Sequence, residues 1–182
     1  MKNLKIQDSI VLAQFRNKKC TTELSLFAEE QLIGQMHYHM DSDSLAGAQV
    51  GNNIWILERT GNGFETSSII VKNVNQANPL FKIWIDLMGT TTSLELSDGT
   101  RVRFRNTCFW NNKWAWVNMD SNEVLIDFNM KAGYSKRGIT TIASRLLNNE
   151  KTPLLCILGW FILHSIDVNE KRNLELQEVR NY

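Results

Sequence analysis

Proline is almost absent from this chain of 182 residues, which contains only two. Proline removes a hydrogen bond from a strand ladder and is confined to sheet edges, so its scarcity leaves long ladders uninterrupted. The three cysteines, Cys20, Cys108 and Cys156, are odd in number and include no CxxC pair. We therefore expect no disulfide framework, and we expect a reducing, cytoplasmic setting.

No charge of one sign dominates, since 20 Lys and Arg stand against 19 Asp and Glu, a formal net charge of +1. The sequence thus lacks the overall field that attracts nucleic acid, and no nucleic-acid partner is expected. The initial "MKNLKIQDSIVLAQF" lacks the apolar core and cleavage site of a signal peptide. The chain contains no nucleophile elbow, P-loop, dinucleotide fingerprint or HExxH motif, so we expect a protein that is not an enzyme and uses no cofactor.

The most apolar segment is "TPLLCILGWFILHSI", Thr152–Ile166, near the C-terminus. Thr152 suits a helix N-cap and Pro153 suits the first helical position. A helix over 153–166 would be about 21 Å long, too short for a bilayer core of about 30 Å. Because it is apolar on every side, we predict that protein surrounds it and that 167–182 is a polar tail. Its predicted core residues are Leu154, Leu155, Leu158, Trp160, Phe161 and Leu163.

Most of the remaining chain alternates apolar and polar residues in short runs, which predicts β-strands. The predicted strands lie at 22–28, 31–40, 53–58, 67–74, 80–86, 113–119 and 123–128, with a hairpin at 92–105. Asp98–Gly99 indicates a type I′ turn in that hairpin. Many antiparallel strands with one apolar helix favour a single domain, 1–182, in which a closed β-barrel holds the helix in its interior.

The unit "SDGTRVRFRNTCFWNNKWAWVNMDSNEVLIDF", followed by "LLCILGWFIL", resembles the tubby C-terminal-domain-like superfamily. That superfamily includes phospholipid scramblase-like and plant LURP-one-related proteins, and this chain looks most like its small prokaryotic members. The resemblance covers most of residues 20–166 and implies a closed antiparallel barrel of about twelve strands around a central hydrophobic helix. The chain departs from the family in its polar tail and in lacking the concentrated basic site of tubby-type phosphoinositide binders.

Arg101, Arg103 and Arg105 line one face of a predicted strand, while Val102 and Phe104 line the other. Guanidinium groups in a row could hold a phosphate or a lipid head group through charge-assisted hydrogen bonds. The alternative is an ordinary solvated strand face. The further anion-binding candidates are Lys113, Lys136 and Arg137, the last two in a loop that could instead be a simple connection to the core helix.

His37 and His39 share one strand face and could bind a metal if a third ligand came from elsewhere. The alternative is a solvent-exposed face, and no metal site is predicted. Trp114 and Trp116 also share a face and are expected to pack against the helix, or else to form a stacking platform for a ligand. His164, on the helix, is expected to form a hydrogen bond near the barrel rim.

Three functions fit these patterns. The first is a non-enzymatic binding module whose outer surface recognises an anionic lipid head group, a phosphate compound or a protein partner. The second is a carrier barrel for an apolar small ligand, which requires the helix to lie outside the barrel. The third, implied by the resemblance, is a peripheral membrane or scramblase-like protein without a transmembrane span.

Overall fold

The computed structural model describes residues 9–18, 21–28, 30–39, 42–61, 67–86, 89–108, 113–130 and 137–180. Within these ranges the protein is mainly β, with one long helix at its C-terminal end. The strands are β1 Ser9–Lys18, β2 Thr21–Ala28, β3 Gln31–His39, β4 Ser42–Val50, β5 Asn53–Thr60, β6 Ser68–Asn73, β7 Pro79–Asp86, β8 Gly89–Thr90, β9 Leu94–Glu95, β10 Arg101–Cys108, β11 Lys113–Asn118, β12 Val124–Met130 and β13 Arg137–Ile142. A 3₁₀ turn, Ser144–Leu146, precedes helix α1, Thr152–Arg180.

The long strands form two antiparallel groups of six and five. The six strands β2 to β7 pair in chain order. The five strands of the other group pair in the order β10, β11, β12, β13 and β1. The two groups adjoin at β1 and β2, whose register runs from Leu12 opposite Phe27 to Lys18 opposite Thr21.

The predicted closed barrel of about twelve strands is wrong in its strand count and in its closure. Eleven strands have six residues or more, and within the described ranges the outermost two, β7 and β10, do not pair with each other. Between them lie β8 and β9, of two residues each. β8 pairs with β7 at two positions and with β10 at one, and β9 pairs with β10 at two. The β7–β10 junction is therefore irregular, where a closed barrel would have a continuous ladder.

Threonine hydroxyls take the place of the missing ladder at this junction. The backbone N–H of Phe104 donates to Thr90 Oγ1 at 3.1 Å, and that of Trp84 donates to Thr92 Oγ1 at 3.2 Å. Threonine side chains compete with strand pairing for backbone groups. The segment from Gly89 to Ser93 thus accepts hydrogen bonds from the backbone of β10 and β7 through its side chains, and it does not extend β8.

Helix α1 is longer than predicted. The apolar half, Leu154–Ile166, is buried along its whole length, including all six predicted core residues. Residues 167–180, predicted as a polar tail, continue the same helix to Arg180. They include three Glu, two Arg, two Leu, one Lys and one Gln, which favour helix irrespective of burial, so the change in polarity at Ile166 does not end the helix. Within the described part of the chain, no helix combines the length and the apolar character needed to cross a membrane.

Both groups of strands contact the buried half of α1. On one side, Trp116 Nε1–H donates to the carbonyl of Leu155 at 2.8 Å, and Trp160 Nε1–H donates to Thr140 Oγ1 at 2.8 Å. On the other side, Tyr38 of β3 stacks on Phe161 with ring centroids 5.8 Å apart. A helix without a polar face is stable in water only when protein covers all its sides, and here the curved sheet covers this one.

Three long strands and the two-residue β8 were not predicted, and one turn has a different type. β1, β4 and β13 have no counterpart among the predicted strands, and Arg137 lies in β13 and not in a loop. Gly99 has φ +82°, but Asp98 is not among the described residues with positive φ, so the turn is not type I′. The hydroxyl of Thr152 does not cap α1; it donates to the carbonyl of Leu146 at 2.6 Å and ties the helix to the preceding turn.

Candidate functional site

The arginine row lies on the outer face of β10. Val102 and Phe104, between the arginines, are fully buried in the core, so strand alternation places all three guanidinium groups on the other face. Arg101 is exposed, whereas Arg103 and Arg105 are half-buried. The row therefore divides into one exposed member and two members set into the surface.

The turn between β11 and β12 contacts one of the two half-buried arginines, Arg105. Asn118 Oδ1 accepts hydrogen bonds from the backbone N–H groups of Asp120 and Ser121, at 2.8 and 3.2 Å. Asn122 has φ +58°, a left-handed conformation that asparagine tolerates better than most residues. This turn brings Asn122 over the sheet, where its Oδ1 accepts a hydrogen bond from Arg105 Nη2 at 3.3 Å.

The arginines and the turn enclose a shallow pocket of about 90 Å³, which we call the arginine groove. Its floor is Val117, directly opposite Arg103 in the β10–β11 pairing and only 2% exposed. The groove is lined by Arg103, Arg105, Val117, Asn118, Met119 and Asn122. Guanidinium and carboxamide groups thus converge above an apolar floor, an arrangement suited to a small oxyanion.

The carboxylates near the groove are paired with arginines outside it. Asp120 accepts from Arg101 Nη2 at 2.7 Å, and Glu123 lies 3.0 Å from Arg145 Nη2. Among the described residues, neither Arg103 nor Arg105 forms an ion pair. Asn122 accepts through Oδ1, so the two N–H groups of its Nδ2 are further potential donors. The groove therefore presents positive charge and hydrogen-bond donors without a neutralising carboxylate.

The other basic candidates do not join the groove. Lys113 begins β11, where its charge opposes the effect of burial, which raises the pKa of Asp127 on β12. Arg137 begins β13 opposite Gln14, with β11 and β12 between it and β10. Lys136 lies outside the described residues. The structure thus brings together Arg103 and Arg105, with Arg101 at the edge.

The histidine pair is placed on the outer face of β3. His37 and His39 are both exposed, and His37 lies opposite Glu23 of β2 and Gly47 of β4. His164 is buried inside, its ring 4.3 Å from that of Tyr38. No group of three His, Cys, Asp or Glu that could hold a metal ion occurs in the described ranges.

The tryptophan pair faces inward. Trp114 stacks on Phe104 with ring centroids 5.6 Å apart, and Trp116 is tilted against the same ring at 5.2 Å. Both are buried, and the indole N–H of Trp116 is bonded to α1. These rings pack against the helix and present no stacking platform to solvent.

Sequence patterns did not identify Val117 or the three groove residues of the turn, Asn118, Met119 and Asn122. Their local signal is the asparagine at each end of "NMDSN", since asparagine favours turns and the left-handed conformation. Nothing local shows that the turn meets Arg105, 17 positions earlier in the chain.

Comparison of the chain with models of protein families, with curated proteins and with solved structures finds no match in any of the three. The resemblance to the tubby C-terminal-domain-like superfamily therefore stays a prediction, and only the fold and the groove bear on function. Together they define a mainly β protein with an internal helix and an outer-face pocket lined by arginine and asparagine.

Proposed function

We propose that this protein is a non-enzymatic binding module that recognises a phosphate-type oxyanion in the arginine groove. The observation that carries the proposal is the convergence of Arg103, Arg105 and Asn122 on one pocket in which no described carboxylate pairs with either arginine. Two arginines set close together repel each other, and a bound anion relieves that repulsion.

The donor set suits an oxyanion such as phosphate. Each guanidinium carries five N–H donors in a fixed fork, and Arg105 uses one of them on Asn122. Hydrogen bonds to a charged group are worth about 1.5–3 kcal/mol each, and a dissociation constant of about 1 mM requires only about 4 kcal/mol. Two or three such bonds thus give binding of inorganic phosphate in the range of about 1 mM.

The filled interior favours a surface ligand over an interior one. A carrier of apolar ligands needs free space inside the sheet, and the buried half of α1, from Leu154 to Ile166, occupies that space. The carrier alternative would require α1 to leave its place in the core. The arginine groove needs no such change.

Calorimetric or ³¹P NMR titration with inorganic phosphate tests the proposal. We expect the wild type to bind with a dissociation constant of about 1 mM, weakening as salt is added. The variant with Arg103→Gln and Arg105→Gln should lose binding. The control is Lys82→Gln, which removes one exposed positive charge from β7, outside the groove, and should bind as the wild type does. Absence of binding to phosphate and sulfate by the wild type, or an equal loss in Lys82→Gln, would refute the proposal.

Vesicle sedimentation separates a free phosphate compound from a lipid head group. Phosphatidylcholine vesicles with and without phosphatidic acid serve as probes. Sedimentation that requires phosphatidic acid and is lost with Arg103→Gln and Arg105→Gln identifies a membrane source. Binding of free phosphate with no sedimentation identifies a soluble one.

A further inference from the structure

The arginine groove opens onto apolar surface. Met119 lines the groove and is 40% exposed. Val124 pairs directly with the floor residue Val117 in the β11–β12 ladder and is 43% exposed. Cross-strand neighbours on one face lie about 4.5–5.5 Å apart at Cβ, so the side chains of Val117 and Val124 are in contact range. We call Met119, Val117 and Val124 together the apolar strip.

The groove is too small for more than the anionic group of a ligand. Pockets that enclose a whole drug-sized ligand usually have about 300–1,000 Å³, and the volume of the groove is about 90 Å³. That space accommodates one oxyanion, and whatever carries the oxyanion must lie outside. Val117 and Met119 are the apolar residues of the groove lining, and Val124 lies beside Val117 on the neighbouring strand, so the apolar surface next to the groove is on the β12 side.

We propose that the ligand of the arginine groove is an amphiphilic phosphate monoester, whose phosphate lies between the arginines and whose apolar substituent lies on the apolar strip. This proposal rests on the proposed function, since it requires that the groove bind an oxyanion. It adds the chemical class of the ligand: an alkyl or similarly apolar ester of phosphate rather than phosphate itself or a phosphorylated polar compound.

Titration with inorganic phosphate and with n-hexyl phosphate, below its micelle concentration, tests the added step. Each methylene removed from water improves affinity by about fourfold, and two or three methylenes fit beside side chains of this size. The wild type should therefore bind hexyl phosphate about 15- to 60-fold more tightly than inorganic phosphate.

Variants of the apolar strip locate the alkyl group. Val124→Thr keeps the shape of the side chain but replaces one methyl group with a hydroxyl, and it should reduce the hexyl advantage severalfold while leaving the affinity for inorganic phosphate unchanged. Met119→Gln, of similar length, should also reduce the advantage. The matched control is Val74→Thr, at a 52% exposed valine in the turn between β6 and β7, which should keep the full advantage.

The outcomes separate the two proposals. If inorganic and hexyl phosphate bind equally well, the amphiphilic ligand is refuted and the anion-binding function stands. If hexyl phosphate binds more tightly but Val124→Thr and Met119→Gln retain the whole advantage, the alkyl group lies elsewhere and the inference is again refuted. If neither compound binds, both proposals fall together. Melting temperatures equal to that of the wild type show that the variants are folded.

Discussion

Replacing Gly159 by alanine tests how closely the sheet encloses α1. A Cβ atom at position 159 would lie 2.3, 2.7 and 2.9 Å from three ring atoms of Phe128, closer than side chains pack. The ring cannot easily move, because Phe128 is fully buried with Phe104 and Trp160 both at centroid distances of 5.5 Å. Overpacking of this kind costs about 1–3 kcal/mol.

Helix propensity acts in the opposite direction at Gly159. Alanine in a helix interior is favoured over glycine by about 1 kcal/mol, so an unenclosed helix would gain stability from the substitution. With Phe128 in place, we expect Gly159→Ala to lose about 1–2 kcal/mol net. At a urea m-value of about 2 kcal/mol/M, the unfolding midpoint falls by roughly 0.5–1 M. The six tryptophans supply the fluorescence signal for the measurement.

Two comparisons make the sign of this change decisive. Gly47→Ala, at a site where a Cβ atom meets nothing within 4 Å, should be neutral or stabilising by up to about 1 kcal/mol. Combining Gly159→Ala with Phe128→Leu should cost less than the sum of the two single changes, since the smaller side chain makes room for the methyl group. A rise of the midpoint in Gly159→Ala would refute the enclosure of α1 by β12.

Asp127 and Asp98 should respond to asparagine substitution with opposite signs. Burial raises the pKa of Asp127 above its ordinary value, so the folded protein binds that proton more tightly than the unfolded chain, and the carboxylate costs stability above about pH 4. Asp127→Asn should therefore stabilise at pH 7 and lose that advantage as the pH falls towards about 3. The hydrogen bond from the Thr100 N–H lowers the pKa of Asp98, so Asp98→Asn should destabilise at pH 7. If the urea midpoint moved in the same direction in both variants, this account would be contradicted. Trp160→Phe removes the donor to buried Thr140 Oγ1 and should cost about 1–3 kcal/mol, against about 3–5 for Trp160→Ala. A melting temperature of Trp160→Phe equal to that of the wild type would contradict a role for the indole N–H.

The sequence predicted the arginine row but not the groove. Alternation with period two is a local property, so it places Arg103 and Arg105 on one face of β10 without any knowledge of the fold. The groove also needs the turn from Asn118 to Asn122, whose direction depends on the positive φ of Asn122 and on its contact with Arg105. Contacts between residues on different strands depend on register, and no short pattern encodes register here.

The closure of the sheet was mispredicted for a related reason. Counting alternating runs gives the long strands, and the apolar segment gives the helix that they surround. Whether the outermost strands β7 and β10 pair with each other depends on the chain between them, Asp86 to Arg101. In that segment the hydroxyls of Thr90 and Thr92 accept hydrogen bonds from the backbone N–H groups of Phe104 and Trp84. In a continuous sheet, the carbonyl groups of a paired strand would accept these hydrogen bonds.

Two of the missed strands share a physical cause, which is the proximity of α1. The inward positions of β4 are Ala46 and Ala48, both buried, and alanine is a poor strand former. In β13, a Cβ atom on Gly138 would lie 2.0 Å from Trp160 Cη2, so glycine is required where the indole lies against the strand. Where large helix side chains lie against a strand, the inward positions of that strand must be small. Such a strand lacks the alternation of large apolar and polar residues by which strands are recognised in a sequence. A long apolar helix in a β-rich sequence therefore predicts further strands hidden in runs of alanine and glycine.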